Sequence, residues 1–506
     1  MRADLRAAAL LLLASAVAAP AAGDAPRSAI PWLSDSLRAP SAAVPPAASG
    51  AAPAAGEPAA TAVSGSEIAV MPIGTVRRDA VGLRPAQALG LPRDLFAGSD
   101  PVRLAERLSA APVDALPAAQ ALVRMLLVAE LDPPRAAGDP DALFLARIDA
   151  LLRRGALDDA QAFLERAGAA DRGAFLRWFD VSLLTGDDTR ACEAMAANPG
   201  IAPTLQARVF CLARAGDWAA AALTLDTGRA LGAIAPADEL LLAHFLDPES
   251  FEGEPPPPTP RPMTPLAYRL LDGIGETPAT RGLPLAFSFA DLRPNVGWKA
   301  QIEAAERLVR AGALDPNRLL ALYTERRPSA SGGVWDRAEA VQRVDAALLG
   351  GDRAALAAAL PDAVERLGAA DLLLPLATLL GERAARALPG DPHAARLGLL
   401  SPGAESVADA AAETHPFAAG VARGEPVDPT TPIERAVADG FARPTPERLE
   451  RMAREGRLGE ALLDVADALR GGTDTPPDEL EDAIATLRAA GLPSLARRVA
   501  LEALLL

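Results

Sequence analysis

The feature that most constrains this chain is a corner that recurs along it: a helical stretch, a glycine, four residues, an alanine and a second helical stretch. It stands at Gly155/Ala160, Gly186/Ala191, Gly216/Ala221, Gly456/Ala461 and Gly491/Ala496. Glycine suits the left-handed residue that ends a helix, because it has no Cβ to clash there. Alanine one turn into the next helix lets the two backbones approach closely. Neighbouring glycines lie 31, 30 and 35 residues apart, which is the period of one helix pair. A chain built on such corners is expected to be all-α, an α-solenoid of antiparallel helix hairpins.

Composition agrees in kind. Half the residues are apolar and only 4% are aromatic; Ala and Leu fill the gap, and both keep most of their side-chain freedom in a helix. Lys299 is the only lysine, the mark of a GC-rich genome that enriches Ala, Arg, Gly and Pro in any case. The corners therefore weigh more for helix than the alanine content does. The net charge of −16 speaks against a nucleic-acid partner, since phosphate binding wants a basic stripe and the arginines here are interleaved with acids. The same charge repels an anionic membrane surface and favours solubility.

The N-terminus points to export. Arg2 and Arg6 precede an apolar run of 13 residues, Ala7 to Ala19, that contains Ala16-Val17-Ala18. A charged start, a short apolar stretch and a small-residue site make residues 1–18 an expected signal peptide, too short to span a bilayer at about 20 residues. The mature chain is expected to be soluble and periplasmic, with no integral membrane span; a retained anchor is the alternative. Residues 19–66 are Ala, Pro, Gly and Ser, the composition of a disordered tether. Within it Ile30, Trp32, Leu33 and Leu37 form an apolar island, either a docking motif or the bare start of the mature chain. Ile68, Val70 and Ile73 alternate as a short strand or extended lead-in.

Helices are expected from Ser99-Asp100-Pro101 onward, where a capping side chain precedes a first-turn proline. The predicted helices divide the chain at its proline and glycine runs. Residues 67–250 form an N-terminal helical-repeat domain, 251–264 a Pro-rich linker, and 265–400 a middle helical domain. Residues 401–431 form a loop-rich connection with a short helix near 405–413, and 432–506 the C-terminal hairpins. Two separate helices, 353–360 and 362–368, flank Pro361, and 272–297 is irregular.

Gly216-Asp217-Trp218-Ala219-Ala220-Ala221 resembles the turn inside a tetratricopeptide repeat, which favours Gly-Asp-Tyr-x-x-Ala. Gly456-Arg457-Leu458-Gly459-Glu460-Ala461 and Gly155-Ala156-Leu157-Asp158-Asp159-Ala160 are looser versions with leucine in the aromatic slot. The chain departs from the family's pattern where Ile148, Val209 and Leu449 replace the small residue of the first helix, and where Asn317 and Leu356 replace the corner alanine. The resemblance covers 140–246 well and 440–506 moderately. It implies a concave surface that binds proteins or peptides.

The two cysteines, Cys192 and Cys211, sit in successive helices at nearly equal distances from the turn around Ile201. An oxidising compartment and matched height predict a disulfide, with buried thiols as the alternative. With three histidines, His244, His393 and His415, and no zinc-ligand spacing, serine elbow, Walker loop or dinucleotide fingerprint, neither metal, cofactor nor catalytic residue is assigned. One polar constellation stands out: Arg326 and Arg327 end a helix after Tyr323, a Ser/Gly loop follows, and Trp335 and Arg337 open the next helix. These residues are candidates for a carboxylate or peptide terminus, with arginine as bidentate donor; the alternative is an ordinary connection stapled by Trp335. The expected function is a non-catalytic periplasmic scaffold or adaptor that binds proteins or peptides in the cell envelope. The alternative is a helical-ring enzyme or accessory factor acting on cell-wall glycan, for which five Trp and two Tyr supply few platforms.

Overall fold

The protein is described by a computed structural model covering residues 77–506 apart from Ala137 and Ala170. The expected signal peptide, the tether with Ile30, Trp32, Leu33 and Leu37, and the 67–73 lead-in lie outside the described residues. Among the described residues the protein is all-helical, with 24 α-helices and a single pair of two-residue strands. The first group is α1 (Pro101–Ala110), α2 (Pro117–Val128), α3 (Pro140–Arg153), α4 (Leu157–Ala167), α5 (Arg172–Thr185) and α6 (Asp188–Ala197). Then come α7 (Leu205–Arg214), α8 (Trp218–Ala230), α9 (Pro236–Leu246), α10 (Pro265–Gly273), α11 (Trp298–Arg310) and α12 (Pro316–Glu325). Next are α13 (Val334–Gly350), α14 (Arg353–Gly368), α15 (Leu373–Leu376), α16 (Glu382–Ala387), α17 (Pro392–Leu400) and α18 (Ala404–Ala411). The chain ends with α19 (Pro416–Arg423), α20 (Pro432–Ala442), α21 (Glu447–Arg454), α22 (Leu458–Ala468), α23 (Pro477–Ala489) and α24 (Pro493–Leu505).

Local chemistry sets these boundaries. Proline opens many of the helices, where its missing N–H costs nothing. Asp100, Asp139, Asp315 and Asp391 each cap such a start with a side-chain carboxylate, and Thr431 with Glu434 forms a capping box. At the five expected corners the glycine is left-handed, with φ from 71° at Gly155 to 88° at Gly186, and the alanine is buried. Cys192 and Cys211 are joined in a disulfide with Cα atoms 5.0 Å apart, fastening α6 to α7.

Three stretches differ from expectation. Residues 353–368 form one helix through Pro361, held by buried Leu356, Leu360, Val364 and Leu367 on both sides of the proline. Leu285–Leu292, inside the segment expected to be irregular, is a 3-10 helix that buries Phe287 and Phe289. The stretch 401–431, expected to be loop-rich, carries the short helix expected near 405–413, as α18, and also α19, where Phe417 and Val421 have an apolar neighbourhood to enter.

The packing closes on itself. α2 lies on α3, and the Leu285–Leu292 segment bridges α3 to α11. From there α11 packs on α13, α13 on α14, α14 on α17, α17 on α24, and α24 back on α2. Helices α6 to α9 leave this ring as an arm of hairpins, and α10 returns the chain onto α5. Closure is stitched by main-chain bonds: Gly98 N–H to Gly456 O at 2.9 Å, Gly459 N–H to Leu95 O at 2.9 Å, and Leu116 N–H to Leu469 O at 3.2 Å. Arg107 reaches Asp464 at 2.7 Å across the same seam. A Cβ on Gly98 would lie 1.7 Å from Glu455 O, so the seam admits only glycine there. Beside it, β1 (Arg84–Pro85) pairs in parallel with β2 (Ala129–Glu130). Buried Arg147 ties this region together, donating to the carbonyls of Val81, Leu127 and Ala129 at 2.6 to 2.9 Å.

Candidate functional site: a central cavity

The ring encloses a cavity of about 2170 Å³. One wall is α2; the rest is mostly helix ends, namely the Arg153–Asp159 corner, the Val309–Pro316 corner, the Gly368–Asp371 corner, the Arg470–Thr473 turn and the start of α24. That geometry decides the cavity's charge. Cations accumulate at helix C-termini, where they meet the negative end of the dipole, so corners facing inward bring arginines with them. Nine arginines line the cavity against six Asp and Glu residues, in a chain of net charge −16. Among the lining residues there is no Trp, Tyr or Phe.

Most of these arginines are spoken for. Arg124 holds Asp159 at 2.6 Å, Arg470 holds Asp467 at 2.8 Å, and Arg498 lies 3.7 Å from Glu502. Arg307 donates to Thr280, and Arg396 to the main-chain oxygens of Leu505 and Leu506. Arg153 and Arg154 have main-chain partners only. Arg153 donates to Ala111 O at 2.8 Å; Arg154 donates to Pro112 O at 2.7 Å and, at 3.4 Å, to the same Ala111 O. Burial, followed by the charge of Arg153, pulls the Arg154 guanidinium down to about 9. Arg153 is lowered by burial and by the nearby charge of Arg470. On the acidic side, burial raises the Asp158 carboxyl while Arg318 opposes it; Asp158 is nonetheless exposed to the cavity solvent.

Glu502 belongs to the ring seam behind this wall. It is 2% exposed, accepts a hydrogen bond from Ala118 N–H at 2.6 Å at the start of α2, and has its second oxygen 3.7 Å from Arg498 without a hydrogen bond. Burial pushes its carboxyl up to about 7 against the opposing Arg498.

The constellation expected at 323–337 sits away from the cavity lining. Tyr323, Trp335 and Arg337 are held in packed contacts, while Arg326 and Arg327 stay outside them. Buried Glu306 accepts two bonds from Arg337, at 2.8 and 2.5 Å, and one from Tyr323 Oη at 2.8 Å. Trp335 packs against Trp298 with centroids 5.0 Å apart and the rings tilted by 46°, and Trp298 Nε1 donates to Leu322 O at 2.8 Å. Arg326 is exposed and pairs with its neighbour Glu325 at 2.9 Å, and Arg327 is exposed beside it. So Arg337 spends its fork on a protein carboxylate.

Of the histidines, His244 is buried and stacks on Phe251 at 3.9 Å, while His393 lines the cavity. Among the described residues no group of three His, Cys, Asp or Glu is placed to hold a metal ion, and no helix is long and apolar enough to cross a membrane. Comparison of the chain with protein-family models, with curated proteins and with solved structures finds no match. Read from sequence, Arg153 and Arg154 are dipole caps with no cavity to place them in. Their signal, a pair of arginines before a corner glycine, is visible there; the direction in which that corner faces is not.

Proposed function

We propose that this is an exported, periplasmic, non-catalytic helical-repeat protein, tetratricopeptide-like in its corners, that binds a protein or peptide segment as a scaffold or adaptor of the cell envelope. The observation that carries this reading is the central cavity of about 2170 Å³. Sites for single small molecules run to roughly 300–1,000 Å³, so this space suits a length of polymer. Its lining mixes leucines, alanines and prolines with charged side chains, a surface fit for peptide. Glycan work would want aromatic platforms and a free carboxylate pair, whereas the lining residues include no Trp, Tyr or Phe and Asp159 is tied to Arg124. The Cys192–Cys211 bridge supports an oxidising compartment.

The test is a photo-reactive residue at Gln120 or Thr378, both lining the cavity. It is expected to crosslink an envelope protein or peptide in cells, and the same residue at Leu349, exposed on α13, to give no product. Crosslinks at Leu349 with none at Gln120 or Thr378 would move the binding surface elsewhere. Removing residues 24–66 tests the tether separately: identical partner lists would take Ile30, Trp32, Leu33 and Leu37 out of the interaction.

A further inference from the structure

Buried cations in proteins are matched by carboxylates, and a guanidinium left without one is costly to desolvate. Arg147 meets that cost with five bonds to four main-chain carbonyls, whereas Arg153 and Arg154 together make three, to two. Arg154 is 6% exposed, yet neither residue has a carboxylate oxygen within 4.0 Å among the described residues. Two guanidiniums converge on one acceptor, Ala111 O, so like charges are crowded with only a helix end to soften them. The Nε atoms of both are buried and without a hydrogen-bond partner. Part of this is explained by the fold, since Ala111 ends α1 and its carbonyl is the negative end of that helix. The two carbonyls of Ala111 and Pro112 do not use two planar forks, however.

The surroundings leave a place for a counter-charge. The Leu116 N–H to Leu469 O bond brings the Arg470–Thr473 turn against the same 111–116 loop. Arg470 keeps one bond, to exposed Asp467, and its charge is felt at Arg153. Two of the three nearby carboxylates are otherwise disposed: Asp159 is held by Arg124 and Asp158 faces Arg318. Asp114, exposed on the loop, makes no ion pair with these arginines among the described residues. All three arginines line the cavity, in a chain where acids outnumber bases overall.

On the footing that this cavity is the binding site, we propose that Arg153, Arg154 and Arg470 form an oxyanion subsite that takes a carboxylate or phosphate group of the bound ligand. The planar fork of arginine matches either group through paired N–H···O bonds. A peptide's terminal or side-chain carboxylate and a phosphate group share this chemistry, and the test separates them.

The full chain is titrated calorimetrically, at fixed ionic strength in chloride, with inorganic phosphate, with N-acetyl-dialanine and with N-acetyl-dialanine amide. Saturable binding of phosphate, of the free acid or of both is expected, and none of the amide. Binding of the acid alone assigns the site to carboxylates; binding of phosphate alone assigns it to phosphate groups. Arg470→Gln, at a largely exposed position, keeps the fold and is expected to weaken binding about tenfold, and Arg153→Gln with Arg470→Gln to abolish it. Absence of binding by both anions overturns the subsite, as does equal binding by parent and Arg470→Gln, which would mean adventitious association elsewhere. The crosslinking result keeps the two ideas apart. Cavity crosslinks without anion binding remove only the subsite. Arginine-dependent anion binding without cavity crosslinks removes the protein-or-peptide reading and leaves the subsite.

Discussion

At the scale of single residues, the interior charges are the ones with consequences. Glu502 has an ordinary carboxyl value of 4.5 and is raised to about 7 by burial in the ring seam. The folded protein therefore holds a proton that the unfolded chain has already released between those two values. The contribution of Glu502 to stability is accordingly greatest below about pH 4.5, falls as pH rises through 7, and flattens above. Across that window the loss amounts to roughly 3 kcal/mol. Glu502→Gln retains an acceptor for Ala118 N–H and carries no charge. Urea-unfolding free energies at pH 5 and pH 8 are expected to converge in the variant relative to the parent; equal pH slopes would show that Glu502 does not titrate in this window. Glu306 is the opposite case. It is just as deeply placed, but Arg337 and Tyr323 satisfy it. Sequence could mark them as unusual together, and only their burial shows what occupies them.

At the scale of elements, most of the chain is legible because helix ends are written locally. α5 runs from its Asp171 cap to the corner at Gly186, and α24 opens on Pro493 in its first turn. Exceptions have physical causes. α2 stops at Val128 because Ala129 and Glu130 pair with Arg84 and Pro85. Asp371 is left-handed (φ 55°) at the corner after α14, where no glycine announced it. The arm α6 to α9 contains the disulfide, which encloses 19 residues of sequence separation. On chain-entropy grounds that cross-link stabilises by about 3 kcal/mol. Replacing Cys192 and Cys211 with Ala is expected to lower the unfolding free energy by that order, read from denaturant midpoints. An unchanged midpoint would mean that the unfolded arm is already restrained without the bridge.

At the scale of the molecule, the decisive feature is the closure of α24 and the 455–472 region onto α1, α2 and the loop before them. Without it the inward corners would line an open surface rather than a cavity. Gly98→Ala places a methyl against Glu455 O and is expected to cost roughly 1–3 kcal/mol, as over-packing does. Hydrogen exchange should rise at the seam amides of Gly98, Leu116 and Gly459 while α6 to α9 keep their protection. Unchanged exchange at the seam would show that closure does not depend on this contact.

The sequence by itself determined the helical class, the corners, the paired cysteines and the positions of most helices. Each of these follows from interactions within a few residues: a left-handed glycine, a capping side chain, an apolar stripe, two thiols at one height. The tertiary structure decided that the ends of the described chain meet, that a ring surrounds a cavity, and that Arg153, Arg154 and Arg470 share one wall of it. An apolar stripe states that a helix face is buried without stating against which partner. The corner at Gly155 looks in sequence much like the one at Gly186, yet residues of the first line the cavity and the second lies against Arg293, outside the cavity lining. What separates them is which distant helices pack behind each, a property of the whole chain.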